Sequence, residues 1–439
     1  MATRIDEKDN KINKEKEFLN FVRKKTYFII IKILNFYDNK IQMSNNDLSI
    51  ILSGIDIHYK YEEIYHSFSE CLFLASENGH EDIIYYLVNH GADINKENGN
   101  GETPIFNACE YENENILKYL FEHGADINKE NKYGETPIFS ACWSGYVKNV
   151  QYLVEHGADI NKESENGETP IFNACRNVNE NILKYLFEHG ADVNKENKYG
   201  RTPIFYACEY ENENILKYLV EHGADVNKEN KYEETSIFGA CYRGNENIVK
   251  YLFDHGADIN KKNENGETPI FNTCWNGNEN IVKYLFEHGA DINKENKYGE
   301  TPIFNACKCG GENIVKYLFE HGADINKENE NGETLIFNAC EYENENILKY
   351  LFEHGADINK ENKYGETPIF NACKCGGENI VKYLFEHGAD INKENKYGLT
   401  PIFYAYEYEN ENILKYLFEH GADSNKENKN GETPMSIAS

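Results

Sequence analysis

Apolar residues recur along this chain in short clusters with helical spacing, and polar turns separate the clusters. Residues 101–133 contain two of them: Ile105, Phe106, Ala108 and Cys109, and then Ile116, Leu117, Leu120 and Phe121. Spacings of one, three and four residues place apolar side chains on one side of an α-helix. The pattern therefore predicts two short helices joined by a turn.

Residues around the clusters supply the predicted helix boundaries. Thr103 suits the N-cap position, and Pro104 suits the first helical position, where its missing N–H costs nothing. His123 and Gly124 follow the second cluster, as expected for a basic last turn and a C-terminal glycine. The letters ADINKENKY then predict a polar loop that leads to the next segment.

This segment recurs with a period of 33 residues. The string GETPIF, or a close variant, begins ten segments, at residues 101, 134, 167, 200, 233, 266, 299, 332, 365 and 398. We therefore predict ten full repeats in residues 101–430, an atypical first repeat in 68–100 and the start of a truncated repeat in 431–439. Neither helix can bury its apolar side alone, so the repeats must stack as a solenoid.

The repeated letters resemble the ankyrin repeat family. The segment TPIF.AC stands where that family has Thr-Pro-Leu-His-x-Ala-Ala, and HGADIN resembles its Gly-Ala-Asp-x-Asn loop. The resemblance extends over residues 68–439 in ten in-phase copies. It implies an all-α repeat solenoid of stacked helix-turn-helix units with β-hairpin-like loops. It also implies that first helices line a concave face which, with the loop tips, holds partner proteins.

Two features depart from the family pattern. Phenylalanine replaces the signature histidine in every full repeat, for example at Phe106, which exchanges a polar bracing contact for apolar packing. The glycine between the two helices is replaced in five repeats, by Glu112, Val178, Glu211, Glu343 and Glu409. Because a left-handed backbone is harder without glycine, we expect the turn to shift onto the following asparagine, such as Asn113.

Residues 1–67 lack the period, and the letters EKEFLNFVRKKTYFIIIKILNFY predict one or two helices there. An exposed apolar end of a repeat stack needs covering, so we interpret this segment as a helical cap. A basic helix on a membrane surface is the alternative. The chain stops at Ser439 inside a first helix, which leaves open an exposed final repeat or a fragment.

Charge and cysteine content narrow the classes of partner and location. The formal charge is −30, with 75 acidic and 45 basic residues, which disfavours nucleic acid and favours a partner with a basic surface. Twelve cysteines are few for a disulfide scaffold of this length, and we expect no signal peptide because residues 1–17 are mostly charged and polar. We expect an intracellular, cytoplasmic protein that is a monomer and makes no membrane contact.

The repeated polar residues do not resemble a catalytic or metal site. Eleven histidines, from His90 to His420, recur at one position of the repeat. Stacked helices lie roughly 10 Å apart, which is too far for the ligands of one metal ion. Acids that recur, such as Asp126, share one environment, whereas catalysis needs one distinct constellation. We expect no enzymatic activity, cofactor, metal or small-molecule substrate.

The cysteines of the sequence NACKCGGEN, which occurs at 305–313 and again at 371–379, are predicted to face apart. Two residues correspond to about 200° of rotation on an α-helix, so Cys307 is expected in the core and Cys309 on the surface. We expect only Cys309 and Cys375 to react with thiol reagents.

Variation between repeats is concentrated in the first helix and the turn after it. Both tryptophans of the chain lie in this variable column, and Tyr, Trp and Arg commonly dominate the energy of protein interfaces. We predict a partner-binding groove centred on residues 134–298, with binding residues Tyr111, Trp143, Arg176, Tyr210, Tyr242, Arg243, Trp275, Lys308 and Tyr342. Loop-tip tyrosines such as Tyr298 could extend it, whereas a further column from Tyr119 to Tyr416 is expected to pack between repeats.

These features favour a non-catalytic protein-protein interaction scaffold. Two alternatives remain open: a targeting or substrate-adaptor subunit of an enzyme complex, and a membrane or cytoskeleton tether that uses the basic N-terminal helix. The alternative for the variable column itself is that its residues are merely exposed and unconstrained.

Overall fold

A computed structural model describes residues 61–437 and contains 23 α-helices and no strand in that range. The chain forms two compact units, an N-terminal unit of residues 1–195 and a C-terminal unit of residues 196–439. The predicted N-terminal cap, with its alternative as a membrane-surface helix, covers residues 1–67. Residues 1–60 lie outside the described residues, and residues 61–67 begin the first helix.

The N-terminal unit contains a first helix pair and three full repeats in its described part. Its helices are α1 Tyr61–Glu77, α2 Glu81–Asn89, α3 Pro104–Glu110, α4 Glu114–Glu122, α5 Pro137–Ser144, α6 Val147–Glu155, α7 Pro170–Arg176 and α8 Glu180–Glu188. Within this unit a first helix packs against its own second helix and against the following first helix, as α3 does with α4 and α5. The predicted helix pairs are confirmed.

The C-terminal unit continues the same order of helix pairs. Its helices are α9 Pro203–Glu209, α10 Glu213–Glu221, α11 Ser236–Arg243, α12 Glu246–Asp254, α13 Pro269–Asn276, α14 Glu279–Glu287, α15 Pro302–Cys309, α16 Glu312–Glu320, α17 Leu335–Glu341, α18 Glu345–Glu353, α19 Pro368–Cys375, α20 Glu378–Glu386, α21 Pro401–Glu407, α22 Glu411–Glu419 and α23 Pro434–Ile437.

The two apolar clusters of each repeat form the core. In α3 and α4 every predicted core residue is buried except Phe121. The Phe121 ring lies half-exposed, 5.9 Å from the Tyr152 ring in an edge-on contact with the next repeat. Phe286 and Tyr317 repeat this contact at 6.0 Å, which confirms that the second-helix tyrosines pack between repeats.

The threonine before each first helix occupies the N-cap position, but its side chain does not cap the helix. Thr103 and Thr268 have extended backbones, and neither hydroxyl accepts a hydrogen bond from the helix. Each Oγ1 is buried and has no hydrogen-bond partner in residues 61–437. The predicted capping is therefore wrong at the level of the side chain. Phe106 and Phe271 are buried at the signature histidine position, and phenylalanine has no polar atom that could form a hydrogen bond with the threonine hydroxyl.

The turn between the helices does not shift onto asparagine where glycine is missing. Val178 and the glutamates at the same position take the left-handed conformation themselves, with φ of 63° for Val178, 57° for Glu211, 55° for Glu343 and 54° for Glu409. The prediction is therefore wrong at these four positions. It is also wrong at Glu112, because Asn113 has a φ of −113°.

The asparagine after the turn forms side-chain hydrogen bonds of two kinds. In several repeats its side chain reaches back to a carbonyl oxygen of the preceding repeat, as Asn344 Nδ2 does with Cys307 O at 2.6 Å. In others it accepts a hydrogen bond from the second helix, as Asn245 Oδ1 does from Ile248 N at 3.1 Å. Asn344 and Asn245 have φ values of −84° and −86°, and the residue before each, Glu343 and Gly244, takes the left-handed conformation.

The loops between repeats turn back as hairpins although none of their described residues forms a strand. Asn131 N donates to Glu135 O at 2.9 Å, and Lys132 N donates to Asn100 O of the preceding loop at 2.8 Å. Asn128 then joins its loop to the following repeat, because its side chain accepts from Asp159 N at 3.0 Å and donates to Gly157 O at 3.1 Å.

Candidate functional site

In the N-terminal unit, the variable column places Tyr111, Trp143 and Arg176 on successive first helices or at their ends. Trp143 is 48% exposed, and Tyr111 is also exposed. Arg176 is half-buried, because its Nη2 donates to both carboxylate oxygens of Glu168, at 3.2 and 3.1 Å. Its guanidinium carbon lies 6.0 Å from the Trp143 ring centre. Arg176 is therefore already engaged inside the repeat stack.

In the C-terminal unit, the three aromatic residues Tyr242, Trp275 and Tyr342 of the predicted binding set line one groove of about 710 Å³. All three are exposed, and the loop-tip residue Tyr298 joins them. Lys308 also lines the groove, but its Nζ is bound to both carboxylate oxygens of Glu300, at 2.7 and 3.0 Å.

Two predicted residues of the C-terminal unit, Tyr210 and Arg243, lie outside the groove lining. Both are exposed, and Arg243 Nη2 lies 3.6 Å from Glu209 Oε1. The structure thus brings together four of the predicted C-terminal residues and leaves these two beside them.

Carboxylates dominate the charge of the groove. Glu267, Glu300, Glu330, Glu333 and Glu341 line it, against the single lysine already paired with Glu300. Burial of its carboxylate, and then repulsion from Glu333, raises the pKa of Glu341. The groove therefore combines exposed aromatic rings with negative charge that its own lysine does not neutralise.

Sequence reasoning missed these carboxylates because most of them occur in columns that hardly vary. Glu267, Glu300 and Glu333 belong to the GET letters that begin most repeats, so comparison between repeats assigns them no distinct role. Their position two residues before the first helix, on the same side as the variable column, was the available signal.

Comparison with known proteins gives the family of the chain. A family model described as ankyrin repeats (3 copies) matches residues 72–164, 161–230, 237–329, 322–395 and 390–439. The chain belongs to the ankyrin repeat family. Its fold is the all-α repeat solenoid expected from the sequence, and ankyrin repeats are generally protein-protein interaction modules, typically non-catalytic ones. A search of curated proteins found no match.

The repeated histidines of this ankyrin repeat protein are helix-end residues, as predicted. His123 caps the end of α4, and its Nδ1 lies 2.8 Å from Tyr119 O while the two rings lie 3.9 Å apart. The same arrangement recurs at His321 with Tyr317. Within the described residues, no group of three or more His, Cys, Asp or Glu side chains could hold a metal ion.

The paired cysteines lie in different environments, as predicted. Cys307 is fully buried, and burial raises the pKa of its thiol strongly. Cys309 is exposed, although its Sγ lies 3.0 Å from Cys274 O, and partial burial raises the pKa of its thiol as well.

In residues 61–437, no helix is both long enough and apolar enough to cross a membrane.

Proposed function

We propose that this ankyrin repeat protein is a non-catalytic scaffold that binds a partner protein through the groove of its C-terminal unit. The observation that carries the proposal is the convergence of Tyr242, Trp275, Tyr298 and Tyr342 on one acidic groove. Aromatic side chains of this kind dominate interface energies, and large exposed apolar surfaces mark sites of interaction.

The ion pairs within the repeats change the roles of two predicted binding residues. Arg176 and Lys308 are held by Glu168 and Glu300, so each would give up an internal ion pair to reach a partner. We therefore assign them to shaping the surface, and assign direct contact to the aromatic side chains. Trp143 and Tyr111 offer a second contact surface on the N-terminal unit.

The location and assembly state belong to the same proposal. All 12 cysteines lie in the described residues and none is in a disulfide, which supports an intracellular, reducing location such as the cytoplasm. We propose a monomer that takes no small-molecule substrate. An adaptor or tethering role would depend on residues 1–66, of which residues 1–60 lie outside the described part of the chain, so no observation favours either role.

Capture of partner proteins from a cell extract tests the proposal. The full chain is compared with a groove variant carrying Tyr242→Ala, Trp275→Ala and Tyr342→Ala. The matched control carries Tyr364→Ala, Tyr397→Ala and Tyr408→Ala, three exposed tyrosines outside the groove lining.

We expect the groove variant to lose bound proteins that the control variant retains, with both variants keeping the helical circular dichroism of the original chain. Equal capture by all three chains would show that the groove is not the binding surface. A separate Trp143→Ala variant reports on the surface of the N-terminal unit.

A further inference from the structure

An internal contact of the N-terminal unit shows how a tryptophan of the variable column is used. The guanidinium carbon of Arg176 lies over the Trp143 ring, 6.0 Å from its centre, and Nη2 donates to both oxygens of Glu168. A cation over an indole face is attracted by the ring's electrons, and a guanidinium can satisfy a carboxylate at the same time. Trp143 and Glu168 therefore form a seat, one aromatic ring and one carboxylate, for an arginine side chain.

The equivalent seat in the C-terminal unit has a lysine on its carboxylate but, within the described residues, no cation over its tryptophan ring. Trp275 and Glu300 stand at the positions of Trp143 and Glu168 in a later repeat, and Lys308 stands at that of Arg176. Lys308 binds Glu300, and no lysine or arginine of the described residues lies over the Trp275 ring. Trp275 is 45% exposed and faces the groove, so its ring remains accessible.

Two further carboxylates of the groove are bound only by neutral amides. Glu267 accepts from Asn263 Nδ2 at 3.5 Å and from Asn296 Nδ2 at 3.4 Å. Glu333 likewise accepts from the amide of Asn329 at 3.1 Å, and no lysine or arginine within residues 61–437 forms an ion pair with either carboxylate. A positive group that entered the groove would meet two carboxylates that no lysine or arginine of these residues pairs with.

From these contacts we infer that the groove binds an extended, arginine-bearing segment of the partner protein, with a guanidinium stacked on Trp275 and paired with the groove carboxylates. The inference rests on the proposed function and specifies its partner. Arginine fits better than lysine because its planar, weakly hydrated group stacks on aromatic rings and binds carboxylates through two parallel hydrogen bonds.

The length of the groove sets the length of the segment. Tyr242, Trp275, Lys308 and Tyr342 lie at or just beyond the ends of four successive first helices, α11, α13, α15 and α17. Packed helices are separated by roughly 8–10 Å, so three steps span about 25–30 Å. An extended chain advances about 3.3 Å per residue, which corresponds to about eight or nine residues.

A control lies 66 residues further on, where the letters of 302–329 recur at 368–395 and where Glu341 stands at the position of Trp275 and Tyr408 at that of Tyr342. There Glu366 accepts a hydrogen bond from Tyr404 Oη at 2.5 Å, and Lys374 Nζ lies 5.8 Å from the Tyr408 ring centre. The aromatic face of Tyr408 already carries a lysine, so its removal should not affect arginine binding in the groove.

The test uses fluorescently labelled Gly-Ser peptides of about nine residues that carry three arginines, three lysines or three glutamates. Their anisotropy is measured against the full chain at an ionic strength of about 0.15 M, where the Debye length is about 8 Å and the attraction of distant charges is screened. The variants are Trp275→Ala, Trp275→Phe, Glu333→Gln and the control Tyr408→Ala.

We expect the arginine peptide to bind more tightly than the lysine peptide, and the glutamate peptide not to bind. Trp275→Ala should weaken arginine binding by about 5- to 30-fold, the range of a cation–aromatic contact that becomes shielded from water. Trp275→Phe should retain part of the affinity, Glu333→Gln should weaken it, and Tyr408→Ala should stay within about twofold of the original chain.

Equal binding of the arginine and lysine peptides, unaffected by Trp275→Ala, would mean that the net charge of −30 alone attracts them and would overturn the inference. Failure of the arginine peptide to bind at about 1 mM would overturn it too. If the groove variant loses partner capture while peptide binding ignores Trp275, the proposed function stands and this inference falls. If neither assay depends on the groove, both fall.

Discussion

Replacing Thr268 by valine should stabilise the protein, although the substitution removes a residue from a helix N-cap. The side chain of Thr268 is 1% exposed, and its hydroxyl has no hydrogen-bond partner in the described residues. An unpaired polar group in the core costs about 1–3 kcal/mol of desolvation. Valine has the same branched shape, favours the extended backbone of this position and leaves no cavity.

The expected gain is about 1 kcal/mol, at the lower end of that range because the threonine can relax in part. Stability in a repeat protein is approximately a sum of local terms, so the change should appear near α13 and α14. Hydrogen exchange of the amides of these helices should slow about fivefold, since 1.4 kcal/mol corresponds to a factor of ten. The urea midpoint of the full chain should rise in parallel.

Thr273→Val is the matched control in the same repeat. Thr273 is equally buried, but its hydroxyl donates to Ile270 O at 2.8 Å. Losing that hydrogen bond should cost about 0.5–1.5 kcal/mol, so the two substitutions should change stability in opposite directions. If Thr268→Val destabilises the repeat as much as Thr273→Val does, the hydroxyl of Thr268 is satisfied in solution and the reasoning is wrong.

Two further outcomes follow from the backbone and the thiols. Val178→Gly should slow amide hydrogen exchange in α8 by a small factor, because a left-handed backbone costs an L-residue about 1–2 kcal/mol. Gly277 stands at the same position of a later repeat with open space around it, so Gly277→Val should lower the stability by about that much. A thiol reagent at pH 8 should label Cys309, which is exposed, and Cys375, which is half-buried, in the native protein, and should reach Cys307 only after denaturation. Because partial burial raises the pKa of the Cys309 and Cys375 thiols, their labelling should still accelerate above pH 9. Rapid native labelling of Cys307 would contradict the assignment.

The helix pairs and their cores could be predicted from the sequence because each depends on a spacing that recurs within one repeat. Ile105 and Leu120 are buried for reasons visible in their own segment. The missing hydrogen bond of the Thr268 hydroxyl could not be predicted in this way. N-cap propensity depends on the local sequence, whereas the burial of this hydroxyl depends on the packing of neighbouring repeats. The left-handed φ of Val178 likewise accompanies a tertiary contact, the bond from Asn179 Nδ2 to Cys142 O of the preceding repeat.

Only part of the candidate site could likewise be predicted from the sequence. Exposure of Trp275 and Tyr242 followed from variation between repeats, whereas the ion pair of Lys308 did not. Lys308 and Lys374 occur in identical stretches of sequence, yet only Lys308 binds the glutamate eight residues before it. The difference comes from the following repeat, which supplies a tyrosine in one case and an asparagine in the other, so sequence within a repeat does not determine its surface.

The asparagine bridges between loops have a consequence for how this chain can change in length. Asn128 binds the backbone of the following repeat at Gly157 and Asp159, and Asn227 makes the same two bonds to Gly256 and Asp258. A recombination event that adds or removes a multiple of 33 residues between two such asparagines therefore recreates the same junction. At these joints the number of repeats can change without loss of the bridging bonds, and the side chains of the variable column are carried along unchanged.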